Sequence, residues 1–93
     1  MIEAKSEVMI DDERVLGTRW VMPPGSQTGH HVHERHYLVL YLSDGRLTVE
    51  TAEGEVIEAD VTELELTSRP AGVSHNVMNR SADSVHFIEI ELK

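Results

Sequence analysis

Apolar and polar residues alternate along almost the whole chain, and no stretch keeps a helical period for three turns. Side chains of an extended strand point to opposite faces in turn, so this alternation predicts half-buried β-strands. Arg19-Trp20-Val21-Met22 is one such stretch. It stops at Pro23-Pro24-Gly25, where proline removes a ladder donor and opens a loop. Tyr37-Leu38-Val39-Leu40-Tyr41-Leu42 is a continuous apolar run, as expected of a strand buried on both faces. Asp44-Gly45 predicts a tight turn into Leu47-Thr48-Val49-Glu50-Thr51, and Glu53-Gly54 a second turn into Glu55-Val56-Ile57-Glu58-Ala59. Further strands are expected at 64–67, 75–79 and 85–92. In the last of these His86, Ile88, Ile90 and Leu92 share one, apolar face, and Glu89 and Glu91 the other. The segment up to Asp12 is expected to add an edge strand or a dimer contact. Roughly eight or nine short strands separated by turn residues make an all-β fold, a small barrel or jelly roll.

Composition narrows this picture. A chain of 93 residues suffices for one domain, 1–93, and is too short for two. A domain of that size buries a modest share of its surface, which favours a homodimer. Apolar residues make up 40% of the chain, enough for a sheet core and too many for disorder. Acidic residues outnumber basic ones by 17 to 8, a net charge of -9 that repels phosphate backbones and anionic bilayers. No nucleic-acid or membrane partner is therefore expected, and the carboxylates are read as solvated strand faces. With no cysteine, disulfide scaffolds, thiol catalysis and Cys-type zinc sites are excluded. The start, Met1-Ile2-Glu3-Ala4-Lys5-Ser6-Glu7, lacks the basic and apolar parts of a signal peptide, and no apolar run approaches membrane-spanning length. A soluble cytoplasmic protein is the expectation.

The candidate chemistry lies in two short stretches. Four of the six histidines fall between positions 30 and 36, among them His31-Val32-His33. A His-x-His pair on a strand puts both rings on one face, and neutral imidazole is the commonest metal ligand. His75, in Pro70-Ala71-Gly72-Val73-Ser74-His75-Asn76-Val77-Met78-Asn79, is the third candidate.

These stretches resemble the two metal-binding motifs of the cupin superfamily. Gly25 is separated by five residues from His31-Val32-His33, as in the first motif. Pro70, Gly72, His75 and Asn79 stand in full register with the second, Pro-x-Gly-x-x-His-x-x-x-Asn. The spacing between the motifs and Gly45, which closes the first, are also cupin-like. The resemblance runs roughly from Trp20 to Leu92 and is strongest to short single-domain bacterial cupins. It implies a double-stranded β-helix holding a divalent transition metal (Fe, Zn, Ni or Mn) and a small-molecule ligand.

The chain departs from the pattern at one point. The first motif has a Glu separated from its second His by three or four residues, and those positions here are Tyr37 and Leu38. Three completions stay open. One is a three-His centre of His31, His33 and His75 with water or substrate in the remaining positions. Another recruits His36, or Glu34, through a bulge, because on a regular strand both have the wrong parity. The last is a relic site that binds metal weakly or not at all.

Neighbouring residues carry lesser expectations. Tyr37 shares parity with His31 and His33, so its phenol is a candidate catalytic hydrogen-bond or proton donor; a wall aromatic is the plain alternative. Tyr41, one step deeper, is read as packing. His30 is expected at the surface, His86 half-exposed, and Asn79 in a structural role. Trp20 and Met22 are expected in the core, at a dimer contact or at the cavity edge. Arg69 is the one cation close to the second motif, either steering an anion toward the metal or pairing at the surface. Functionally the reading is a metal-binding cupin acting on, or holding, a small anionic or chelating molecule. Dioxygenase or isomerase chemistry is one class it would suit, and a non-catalytic binding module is the other.

Overall fold

A computed structural model describes all residues, 1–93, as eleven strands without a helix. In chain order they are β1 (Ile2–Glu3), β2 (Lys5–Asp11), β3 (Val15–Met22), β4 (Ser26–Gln27), β5 (His31–Val32), β6 (Tyr37–Tyr41), β7 (Gly45–Thr51), β8 (Val56–Val61), β9 (Leu66–Arg69), β10 (Ser74–Asn79) and β11 (Val85–Leu92). One sheet runs β1-β4-β10-β7-β8, with β5 also paired to β10; the other runs β2-β3-β11-β6-β9. Every pairing is antiparallel except β1 with β4. No helix is long and apolar enough to cross a membrane.

The strand expected to begin at Leu64 begins at Leu66. Leu64 has a positive φ of 69° and belongs to the turn, a conformation that takes it out of the ladder. The run from Tyr37 ends one residue early, and only Tyr37 and Val39 are fully buried. Its other face, Leu38 and Leu40, is half-covered. The N-terminal segment splits: β2 pairs along β3 at the edge of one sheet, while β1 crosses to β4 in the other. Every residue of β2 is exposed, including Val8, Met9 and Ile10.

The core joins both sheets through Met22, Tyr37, Val39, Leu47, Val61, Val85 and Phe87. Trp20 packs against it, stacked on Phe87 at 6.4 Å between ring centroids. Gly45 permits the closest approach in this region: a Cβ there would lie 2.6 Å from Val85 Cγ2. At this closed end the buried Asn79 and Ser26 side chains are both paired. The buried Asn79 side chain donates to the Met22 and Asp83 carbonyls, each at 2.8 Å, and accepts from the Ser81 backbone and hydroxyl. Ser26, also buried, donates its hydroxyl to the Pro23 carbonyl.

The last strand reverses the expected faces. Val85 and Phe87 are buried in the core, so the inward face continues through Glu89 and Glu91. His86, Ile88 and Ile90 lie half-buried on the outer side. The physical reason is position: β11 is the central strand of its sheet, flanked by β3 and β6, and neighbours partly cover aliphatic side chains even on its outer face. An apolar face there does not mark the core.

Candidate metal centre

His31 and His75 occupy paired positions on β5 and β10, which puts their side chains on the same face of the sheet. His33, two residues beyond His31, returns to that face. Two backbone bonds hold it: the His33 amide donates to the Val73 carbonyl, and the Gly72 amide donates to the His33 carbonyl at 2.7 Å. The Pro70–Gly72 turn thus fastens the second motif to the first. Gly72 adopts a φ of 96°, which glycine reaches without a Cβ clash.

The three imidazoles converge through one kind of atom. His33 Nε2 lies 3.1 Å from His31 Nε2 and 3.2 Å from His75 Nε2. His31 Nδ1 donates to the Gly29 carbonyl at 2.8 Å, so its hydrogen sits on Nδ1 and its Nε2 presents a lone pair. Burial, with the neighbouring His31, holds His33 down at about 4, and burial with the same cluster does so for His75. Both rings are therefore neutral near pH 7 and able to ligate. Ligands about 2.1 Å from one centre and at right angles stand about 3.0 Å apart, so the spacing suits a facial set of imidazoles on one divalent metal.

Asn76, beside His75, secures the loop that carries His31. Its side-chain oxygen accepts from the Gly29 amide at 3.0 Å, and its amide donates to Gln27 Oε1 at 2.9 Å. The expected candidates Glu34 and His36 do not join the cluster. Glu34 is exposed, and His36 is exposed with its Nε2 2.6 Å from the Ser68 hydroxyl. No bulge redirects either residue inward. His30 is also outside it, pairing with Glu50 at the surface.

Tyr37 lies against the centre, its ring stacked on His33 at 3.8 Å between centroids and 18° between planes. Burial, reinforced by Glu89, pushes its phenol up to about 12, so it is a hydrogen donor near neutral pH. Glu89 was not recognisable as a site residue in the sequence. Its side chain is 15% exposed and its Oε2 lies 4.0 Å from His33 Nε2. Burial first, then Glu91, raises its carboxyl to about 7; the Trp20 indole pulls weakly the other way, from beyond hydrogen-bond reach. The legible signal was parity with Val85 and Phe87.

Next to the histidines lies a cavity of about 410 Å³. Its wall is mostly apolar, including Val39, Leu47, Val49 and Phe87, and His75 and Arg69 stand in it. Arg69 makes no ion pair within 4.0 Å, so the surface-pairing expectation gives way to a free guanidinium on the cavity wall. Trp20 and Met22 are core residues and do not line it.

Residues 18–91 match the family described as cupin domain. The chain belongs to the cupin family. This cupin is 42% identical over 91 residues to the beta-alanine degradation protein BauB of Pseudomonas aeruginosa, covering 98% of the chain and 95% of that relative. The crystal structure of a cupin domain from Bordetella pertussis Tohama I matches with a TM-score of 0.94 at 42% identity, over 99% of this chain and 95% of that one. An RmlC-like cupin with a double-stranded β-helix from Methanocaldococcus jannaschii has a TM-score of 0.80 at 18% identity, covering 99% and 82%, a likeness of fold alone. The two facing sheets of this cupin are that double-stranded β-helix.

Proposed function

We propose that this cupin holds one divalent transition metal on His31, His33 and His75 and binds a small carboxylate-bearing molecule in the adjoining cavity. The observation that carries the reading is the convergence of three Nε2 atoms, two of the separations being 3.1 and 3.2 Å, with the His31 tautomer set by Gly29. When bound, the metal supplies Lewis-acid polarisation of an oxygen donor on the ligand. The chain supplies the rest. Arg69 meets the carboxylate as a two-pronged donor. The apolar wall holds the carbon body and excludes water. Tyr37 donates a hydrogen bond and does not act as a base, since its phenol stays protonated. The relative named for β-alanine degradation supports a ligand of this class, β-alanine being itself a small carboxylate. Exposed Val8, Met9 and Ile10 on the β2 edge support association of two copies, which light scattering measures directly.

The test is elemental analysis of tag-free wild type beside His31→Ala and His75→Ala, followed by titration of the loaded protein with three-carbon carboxylates. About one metal per chain in wild type and none in either variant is expected. Wild type that neither carries nor takes up Fe, Zn, Ni or Mn would sink the reading. Loaded wild type and Arg69→Ala binding the carboxylates equally well would sink its ligand half.

A further inference from the structure

We propose that Glu89, delivered from the last strand, is the carboxylate ligand that the first motif of this chain lacks. The inference rests on the metal reading above and adds a fourth donor to it.

Two groups of candidate donors meet at one atom. His31, His33 and His75 form the first, and His33, Glu89 and Glu91 the second, with the ligating atoms of each group within 4.8 Å of one another. One imidazole Nε2 holds one metal, so the groups do not describe two separate sites. The two groups share His33, and a turn of the flexible Glu89 side chain carries its carboxylate the rest of the way to the three imidazoles. Where the motif would place a Glu, Tyr37 instead stacks on His33. Directly across the β6–β11 ladder Tyr37 pairs with Glu91, and Glu89 is the next inward residue on the same strand. The carboxylate has moved to the neighbouring strand at the same end of the barrel.

Between the two acids the surroundings choose Glu89. Glu91 Oε2 has a cationic partner in Arg35, at 3.9 Å. Glu89 has no Lys or Arg within 4.0 Å; its one basic contact is His33, at 4.0 Å. An inward, largely buried carboxylate without a counter-ion is costly on its own. It becomes favourable beside a divalent cation, whose charge three neutral imidazoles leave uncompensated.

The experiment is Co(II) titration followed by visible absorption, with Zn(II) competition against a chelator, on wild type, Glu89→Gln, Glu91→Gln and His75→Ala. Glu89→Gln keeps the shape and removes the buried charge, so it folds; circular dichroism of the metal-free protein verifies this. Expected are an affinity loss of about 100-fold and an altered Co(II) spectrum for Glu89→Gln, with a loss below about 10-fold and an unchanged spectrum for Glu91→Gln. Wild-type affinity and spectrum in Glu89→Gln, with binding lost in His75→Ala, would overturn the fourth ligand and leave the three-His centre standing. Equal losses in both Glu variants with an unchanged spectrum would also overturn it, as an effect of net charge. Absence of Co(II) and Zn(II) binding in wild type would remove both readings together.

Discussion

The two ends of the barrel are built from the same strands and differ in what they leave unfinished. At the closed end β10 finishes with Asn79 and β11 begins with Val85, both fully buried. There Asn79 satisfies two backbone carbonyls and a serine, and Met22 and Val85 fill the remaining space. At the other end β10 begins with Ser74-His75 and β11 runs into Glu89 and Glu91. Three imidazole nitrogens face one another, a buried carboxylate lacks a cation, and a guanidinium lacks an anion. One end is complete within the chain, which is what stability requires. The other is complementary to something outside the chain, which is what binding requires.

The sharpest way to break this comparison is His75→Ala. We expect metal binding to be abolished, a loss exceeding about 1,000-fold, while the metal-free protein keeps its thermal midpoint to within a few degrees, because the removed imidazole stands on the cavity wall outside the hydrophobic core. Isothermal titration and a thermal melt measure the two halves. Asn79→Ala should do the reverse. It removes the side-chain donor to the Met22 carbonyl and the acceptor of the Ser81 amide at the closed end, costing about 3 kcal/mol and lowering the melting midpoint by more than about 10 °C. Metal affinity per folded molecule should stay within about two-fold of wild type.

Protonation sharpens the contrast further. His33 and His75 fall from 6.5 to about 4 on folding, so the unfolded chain binds more protons between those values. Their contribution to stability is present above about pH 6.5 and is lost as pH falls toward 4. Glu89 has the opposite sign. Its carboxyl rises from 4.5 to about 7, so the folded state binds more protons in that window and loses stability as pH rises through it. Glu89→Gln should therefore stabilise the metal-free protein by about 2 kcal/mol above pH 7 and barely change it at pH 5. Denaturant midpoints at the two pH values measure this. An equal effect at both would show that the charge at this end is not what costs stability.

The smallest effect belongs to the residue joining the two regions. Asn76→Ala frees the Gly29 amide and the Gln27 side chain, loosening the loop that aims His31. We expect metal affinity to drop about ten-fold, with a stability change near 1 kcal/mol. Chelator competition on the purified variant measures it.

Much of this was legible in one dimension. The period of two along the chain and the turn residues between strands specified an all-β protein, because alternation of side chains is a local property of extended backbone. The spacing of His31, His33 and His75, with Gly25, Pro70, Gly72 and Asn79 around them, marked the histidines for the same reason: each motif is short enough to be read within a strand and its turn. Only the tertiary structure decided which face of β11 looks inward. The more apolar face, with Ile88, Ile90 and Leu92, turned outward, and the choice depended on β3 and β6 flanking the strand and partly covering it. It also decided that Glu34 and His36 stay outside, that Arg69 stands unpaired on a cavity wall, and that Glu89, 56 positions after His33 in the chain, lies 4.0 Å from it. Pairing partners are set by packing across sheets, and packing between distant segments leaves no trace in local periodicity.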